Sequence, residues 1–196
     1  MSELLRRRDV VARLLDGRGE LLVVAGLGST AWDCTAAGDS ALTFPLWGAM
    51  GNAAMIGLGL ALARPERRVL VVTGDGEMLM GLGSLATIGV QKPRNLAVVV
   101  IDNERYGETG MQATHTAAGV DLAGAALACG FAAASRIRAA AELDALRAAI
   151  HGGEGPLFAQ VKVRAEKLPL VLPPRDGVLL KARFRRALLG EAADLE

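Results

Sequence analysis

The stretch Val69-Leu70-Val71-Val72-Thr73-Gly74-Asp75-Gly76 decides the fold of this chain, together with Leu96-Ala97-Val98-Val99-Val100-Ile101-Asp102-Asn103. Each begins as an apolar run rich in β-branched residues, which is typical of a buried strand, and each ends in polar residues. The interval between them can hold one crossover helix, predicted over residues 80–90. The pair therefore predicts a βαβ unit whose right-handed crossover places both strand ends at one edge of a parallel sheet.

The flanking sequence continues the alternation of strand and helix. Residues 4–15 have apolar side chains at helical spacing, and residues 21–25 form an apolar run. Residues 140–150 predict another helix and residues 158–163 another strand. This order predicts an α/β fold, a doubly wound and mostly parallel sheet with helices on both faces, in which ligands bind at the carboxyl ends of the strands.

Length and composition narrow the possible classes of protein. The 196 residues predict a single domain, 1–196, in which residues 167–196 form a basic extension that packs on the domain or on a partner. A hydrophobic content of 52% and a net charge of +1 argue against disorder and against nucleic acid as a partner. Two cysteines support neither a disulfide framework nor a zinc motif, and no apolar run approaches the roughly 20 residues of a membrane span. We therefore expect a cytoplasmic protein that does not enter the membrane.

The first strand ends in the glycine-rich bend Gly26-Leu27-Gly28-Ser29. Glycines there let backbone N–H groups approach an anion, so Gly26 and Ser29 are candidate contacts for a phosphate. The spacing also matches a dinucleotide fingerprint, but no acidic residue follows about 20 positions later, and the chain has no Gly-Lys-Ser/Thr phosphate loop. A nicotinamide or nucleoside triphosphate site is therefore disfavoured.

The second and third strand ends carry oxygen ligands. Asp75 can bind a hard cation while the N–H groups of Gly76 and Glu77 hold phosphate oxygens, although a simple helix cap explains this motif equally well. Asn103 lies 28 positions later at the next strand end, and its amide oxygen suits a Mg²⁺ shell. Together the two side chains predict a magnesium and diphosphate site.

This arrangement resembles the cofactor motif of thiamine-diphosphate (ThDP) enzymes, in which Gly-Asp-Gly is followed by two asparagines. Asp102 stands where the first asparagine is usual. The resemblance implies ThDP and Mg²⁺ as cofactors, with Asp75, Asn103 and the backbone carbonyl of Arg105 as metal ligands. It also places Tyr106, just after the motif, among the cofactor-binding residues.

A second stretch, Trp47-Gly48-Ala49-Met50-Gly51, is similar to the segment that bends the cofactor in these enzymes. By this resemblance Met50 props the cofactor into a V shape, the carbonyl of Gly48 accepts a hydrogen bond from the 4′-amino group, and Ala49 borders the cofactor. Without the motif at Asp75, Met50 would be interpreted as ordinary core packing.

Over residues 23–184 the chain resembles the C-terminal domain of phosphonopyruvate decarboxylase and the β subunit of sulfopyruvate decarboxylase. The segments 81–89 and 106–112 carry this similarity, except that Gly110-Met111 replaces two glycines. The resemblance implies a carbon–carbon lyase subunit that decarboxylates a small anionic 2-oxoacid. The alternatives are a subunit of a ThDP-dependent carboligase or oxidoreductase, and a non-catalytic ThDP-binding regulatory subunit.

One catalytic group of ThDP enzymes has no counterpart in this sequence. The family needs a glutamate against N1′ of the pyrimidine ring, carried on a separate domain, whereas Glu77 and Glu108 lie on the diphosphate side and are predicted to be structural or surface residues. The resemblance therefore implies a partner, a pyrimidine-domain α subunit in an α₂β₂ assembly. His115 is a candidate proton donor to the reaction.

Overall fold

The computed structural model describes residues 4–194, which form one α/β unit. Its strands are β1 (Leu22–Ala25), β2 (Thr43–Pro45), β3 (Val69–Gly74), β4 (Leu96–Asp102), β5 (Arg105–Tyr106), β6 (Gln112–Ala113), β7 (Ala133–Ile137) and β8 (Leu157–Lys162). Its helices are α1 (Arg7–Leu15), α2 (Ser29–Ala36), α3 (Ala53–Ala63), α4 (Asp75–Met80), α5 (Ser84–Gln91), α6 (Leu122–Ala128), α7 (Leu143–Gly152) and α8 (Gly177–Leu189).

Six of the strands form a parallel sheet in the order β2-β1-β3-β4-β8-β7, and β5 pairs with β6 in a small antiparallel hairpin. The order reverses direction between β1 and β3, where a doubly wound sheet opens a crevice for ligands. In the central pair Gly74 lies opposite Ile101, so Asp75 and Asp102 follow directly at adjacent strand ends. The predicted parallel α/β fold is therefore confirmed, and the carboxyl ends of β1, β3 and β4 lie together at one edge of the sheet.

Alternate residues of the central strands pack against two different helical layers, as the two-residue repeat of a strand requires. Val23 and Val99 belong to a core with helices α1, α2 and α7. Val24 and Val98 belong to a second core with α3, α5, α6 and Phe184 of α8. Because the central strands are buried on both faces, their sequences are continuously apolar rather than alternating.

The crossover between β3 and β4 differs from the predicted single helix over residues 80–90. Helix α4 begins at Asp75 itself and ends at Met80, and α5 begins only at Ser84. The interruption allows a close backbone contact, because a Cβ atom at Gly81 would lie 2.0 Å from the carbonyl oxygen of Gly51. The segment around Met50, which is predicted to bend a cofactor, is thereby packed directly against the crossover.

The C-terminal segment packs on the domain beside β2. The Trp47 indole donates a hydrogen bond to the carbonyl oxygen of Pro174 at 2.8 Å, and the rings of Phe44 and Phe184 lie 5.5 Å apart. Arg183 forms an ion pair with Asp39 at 2.6 Å. No helix between residues 4 and 194 combines the length and the apolar character needed to cross a lipid bilayer.

Candidate cofactor site

Asp75 occupies the carboxyl end of β3 and the first position of α4, with only 2% of its surface exposed. Its Oδ2 accepts a hydrogen bond from the hydroxyl of Thr114 at 2.5 Å and lies 3.2 Å from the hydroxyl oxygen of Thr116. Burial raises the pKa of Asp75 to about 6, an effect that the Thr114 hydrogen bond opposes and the charge of Asp102 reinforces. A nearby cation would favour the ionised form, so this carboxylate is suited to bind a metal ion.

Asp102, at the end of β4, is fully buried and accepts four hydrogen bonds. Its Oδ1 accepts from the backbone N–H of Glu104 at 3.0 Å and from Thr116 Oγ1 at 2.8 Å. Its Oδ2 accepts from Gln160 Nε2 at 2.6 Å and from Lys162 Nζ at 2.8 Å. The Thr116 hydroxyl therefore contacts both Asp75 and Asp102, which confirms by contact that the two strand ends meet.

The turn that follows Asp102 presents the other predicted metal ligands. Asn103 Oδ1 accepts a hydrogen bond from the backbone N–H of Arg105 at 2.9 Å, and Glu104 has a left-handed backbone with φ of 61°. The carbonyl of Glu104 accepts from the N–H of Thr114 at 3.0 Å, so the β5–β6 hairpin returns the chain to Asp75. Asn103 and Arg105 line a cavity of about 240 Å³.

A second cavity of about 280 Å³ lies at the ends of β1 and β3, and four of the ten predicted cofactor-binding residues line it, namely Ser29, Met50, Glu77 and Tyr106. Its lining includes Leu27, Ser29, Met50, Gly74, Glu77, Met80, Tyr106 and Glu108. No arginine, lysine or histidine lines it. The wall that this chain provides is therefore apolar and acidic.

Glu77 is the most deeply buried carboxylate of this cavity, with 4% of its surface exposed. Its Oε2 accepts a hydrogen bond from Thr73 Oγ1 at 2.8 Å, and its Oε1 is buried. Burial raises its pKa, while the Thr73 hydroxyl and the backbone N–H groups of Ala53, Leu27 and Gly51 lower it. The Glu77 side chain thus joins the glycine-rich bend to the segment around Met50.

The glycine-rich bend fits tightly around this carboxylate. A Cβ atom at Gly26 would lie 1.9 Å from Glu77 Oε2, so any larger residue there would displace the Glu77 side chain. Thr30 Oγ1 donates to the Gly26 carbonyl at 2.8 Å, and α2 begins at Ser29. Behind it, the buried Arg7 donates to the Ser29 carbonyl at 3.2 Å and pairs with Asp33. The start of α2 has no side-chain cap, so its first N–H groups are available to an anion, whereas Asp33 balances the charge of Arg7.

The segment predicted to bend the cofactor is a loop rather than part of a helix, because α3 begins only at Ala53. Ala49 has a left-handed backbone with φ of 60°, and Gly51 has φ of 90°. Met50 keeps 40% of its surface exposed and lines the cavity, while Gly48 and Ala49 are exposed and outside its lining. An exposed methionine on a strained loop contradicts ordinary core packing.

Not every predicted residue reaches the cavity. Gly76 packs against the Tyr106 ring, since a Cβ atom there would lie 2.4 Å from Tyr106 Cε1. His115 is exposed in a 3₁₀ turn and does not line the cavity, so its role as a proton donor stays a prediction. Thr114 and Thr116 were not predicted, because their inward hydroxyls become evident only when the hairpin folds back. Glu108, predicted to be a structural or surface residue, is exposed at the cavity wall.

These residues fit a metal-bound diphosphate. Within residues 4–194 no cluster of three or more His, Cys, Asp or Glu side chains could hold a metal ion. A mixed set of carboxylate, amide and carbonyl oxygens with diphosphate oxygens is instead what Mg²⁺ prefers. The buried Asp75 carboxylate and the Asn103 amide oxygen, on strand ends that are joined through Thr116, offer such oxygens. Fold and site together define an α/β cofactor-binding domain.

Comparison with known proteins identifies the family. The model of the thiamine pyrophosphate enzyme C-terminal TPP binding domain matches residues 27–161. The chain belongs to this family of thiamine pyrophosphate enzymes, so the resemblance drawn from the sequence is confirmed.

Individual relatives agree with this assignment. The sulfopyruvate decarboxylase subunit beta of Methanothermobacter thermautotrophicus is 36% identical over 97% of this chain and 100% of its own length. The phosphonopyruvate decarboxylase of Streptomyces viridochromogenes is 42% identical over 85% of this chain but only 42% of its own length. A structure from Mycobacterium smegmatis, described as a thiamin diphosphate-dependent enzyme, covers 83% of this chain and 32% of its own chain, with a TM-score of 0.70 and 21% identity.

Proposed function

We propose that this chain is the ThDP- and Mg²⁺-binding subunit of a heteromeric 2-oxoacid decarboxylase, a carbon–carbon lyase similar to sulfopyruvate and phosphonopyruvate decarboxylases. The observation that carries the proposal is the buried Asp75 at the end of β3, joined through Thr116 to the turn that presents Asn103. The relative that matches this chain from end to end is itself named a subunit beta, which supports a division of the enzyme between two chains.

The chain's own residues would hold the cofactor at its diphosphate end. The side chains of Asp75 and Asn103 and the carbonyl of Arg105 would bind Mg²⁺, and the N–H groups of Gly76 and Glu77 would bind diphosphate oxygens. Gly26 and Ser29 would close the other side of the diphosphate. When bound, ThDP supplies a nucleophilic carbon and accepts the electron pair released as CO₂ leaves a 2-oxoacid.

The cavity wall would set the shape of the cofactor and shield the reaction. Met50 projects from a loop that is held against Gly81, so its side chain has a fixed support from which to bend the cofactor. The Gly48 carbonyl, exposed beside it, would accept from the 4′-amino group. Leu27 and Met80 add apolar surface, which excludes water and strengthens electrostatic interactions within the site.

A partner subunit would complete the site. Glu77 already interacts with Thr73 and lies beside three backbone N–H groups, so it is placed to brace loops rather than to contact a pyrimidine ring. We therefore assign the N1′ glutamate to a pyrimidine-domain α subunit in an α₂β₂ assembly, located in the cytoplasm. Because the cavity wall of this chain lacks cations, that subunit would also supply the positive charge for a small anionic 2-oxoacid.

The test is a decarboxylation assay on the complex that co-purifies with this chain. With ThDP, Mg²⁺ and a panel including sulfopyruvate, phosphonopyruvate and pyruvate, we expect CO₂ release that Asp75→Ala abolishes. The Asp144→Ala variant, which removes an exposed carboxylate paired with Arg13, should retain activity. Cofactor binding by the Asp75→Ala complex with unchanged affinity would contradict the assignment of the metal site.

A further inference from the structure

The metal-binding turn is anchored to β8 by a buried ion pair that the proposed function does not use. Asp102 is fully buried, and Lys162 keeps only 12% of its side chain exposed. Lys162 Nζ lies 2.8 Å from Asp102 Oδ2 and 2.6 Å from Glu104 Oε1. One lysine therefore binds the residues on both sides of Asn103.

The same carboxylate fixes the backbone of the turn. Asp102 Oδ1 accepts the Glu104 N–H at 3.0 Å, and Glu104 has the left-handed φ of 61° that bends the chain toward Arg105. A non-glycine residue in this conformation is strained and persists only when its surroundings hold it there. The orientation of the Asn103 side chain and the Arg105 carbonyl thus depends on contacts made by Asp102 and Lys162.

Asp102 is also linked to the other proposed metal ligand. Thr116 Oγ1 lies 2.8 Å from Asp102 Oδ1 and 3.2 Å from Asp75 Oδ2. Gln160, on β8, donates a hydrogen bond from its Nε2 to Asp102 Oδ2 at 2.6 Å. Both strand ends of the site are therefore oriented by one buried network, and Lys162 balances the charge of the additional carboxylate.

We propose that Asp102 and Lys162 are positioning residues, a buried ion pair that orients Asn103, Arg105 and Asp75 for the divalent metal. The inference rests on the proposed function, because the metal is the one that would hold ThDP. The pair binds no ligand itself, and its effect is on metal affinity rather than on the chemistry. Replacing a residue that contacts a metal ligand typically lowers metal affinity or activity by about 10–100-fold.

The experiment measures Mn²⁺ binding by electron paramagnetic resonance, with saturating ThDP, on the complex that co-purifies with this chain. Asp102→Asn keeps the shape and removes the charge, and Lys162→Met removes the cation. Each should weaken Mn²⁺ binding about tenfold or more. The double variant, Asp102→Asn/Lys162→Met, should lose less Mn²⁺ affinity than the two single variants lose in sum. The reason is that neither charge is then buried without its partner.

Two further variants separate positioning from folding. Lys162→Arg keeps the cation and should recover most of the affinity, whereas Lys181→Met, an exposed lysine on α8, should bind Mn²⁺ like the parent chain. Raising Mn²⁺ should restore ThDP binding in Asp102→Asn, which a general loss of structure would not allow. Parent-like Mn²⁺ affinity in Asp102→Asn and Lys162→Met would overturn the inference while leaving the proposed function intact. A parent complex that binds no Mn²⁺ with ThDP would overturn both.

Discussion

Replacing Asp75 by asparagine should stabilise the chain while it abolishes metal binding. In the metal-free chain the carboxylate is buried with Asp102 nearby, and its pKa is raised from 3.8 to about 6. Above pH 6 Asp75 is therefore ionised, and its ionised form is less stable in the folded chain than in the unfolded chain. Asparagine keeps the shape and a hydrogen-bond acceptor for Thr114 without that cost.

The magnitude follows from linkage between protonation and folding. The interval from 3.8 to about 6, at 1.36 kcal/mol per pH unit, corresponds to about 3 kcal/mol. Because the folded pKa is raised, the cost is absent below pH 3.8, grows as pH rises between the two values and is complete above pH 6. The advantage of Asp75→Asn should thus be about 3 kcal/mol at pH 8 and roughly half of that at pH 5.

Urea unfolding of the full-length chain in EDTA, followed by circular dichroism from pH 5 to 8, measures this difference. The matched variant is Asp102→Asn, which should instead lower the free energy of unfolding because it leaves the largely buried Lys162 paired only with the more exposed Glu104. An Asp75→Asn chain less stable than the parent at pH 8, or a difference that stays constant with pH, would contradict a destabilising buried charge at Asp75.

Three further predictions concern packing, the cofactor cavity and the thiols. A Cβ atom at Gly89 would lie 1.7 Å from the Cys129 carbonyl oxygen, so Gly89→Ala should lower the free energy of unfolding by about 1–3 kcal/mol. Gly59→Ala, which points into open space on α3, should raise it by about 0.5–1 kcal/mol in the same urea titration. Met50→Ala should change the free energy of unfolding by less than about 1 kcal/mol, since Met50 is 40% exposed. It should nevertheless lower kcat of the complex about tenfold, while the Mg²⁺ affinity stays like that of the parent. An unchanged kcat would contradict the role of Met50 in bending the cofactor. Burial raises the pKa of Cys34 to about 12. Ellman's reagent at pH 8 should therefore label Cys129 in the folded chain and Cys34 only after denaturation. Rapid labelling of both thiols would contradict the buried position of Cys34.

The central part of the fold could be predicted because its strands are buried on both faces. Strands β3 and β4 appear as uninterrupted apolar runs, and their polar ends at Asp75 and Asp102 mark the functional edge. The edge strands β2 and β7 could not be predicted in this way. β2 is three residues long and ends in Pro45, and β7 exposes most of its residues, so neither has the hydrophobic pattern of a strand.

Part of the candidate site could likewise be predicted from the sequence, and part of it could not. Asp75 and Asn103 could be predicted from spacing, since each follows a strand directly. The contacts of Thr114 and Thr116 with Asp75 could not, because they depend on how the β5–β6 hairpin returns across the strand ends. The Lys162 contact with Asp102 depends likewise on pairing between β4 and β8, which are separated by more than 50 residues in the chain.

We propose that this chain supplies one half of a divided ThDP site. The decisive measurement is calorimetric titration of ThDP with Mg²⁺ into this chain, alone and then in complex with its co-purified partner. We predict weak or no binding to the chain alone and tight, Mg²⁺-dependent binding to the complex, lost in Asp75→Ala. Absence of binding to both, or binding to the complex that does not depend on Mg²⁺ and Asp75, would contradict it.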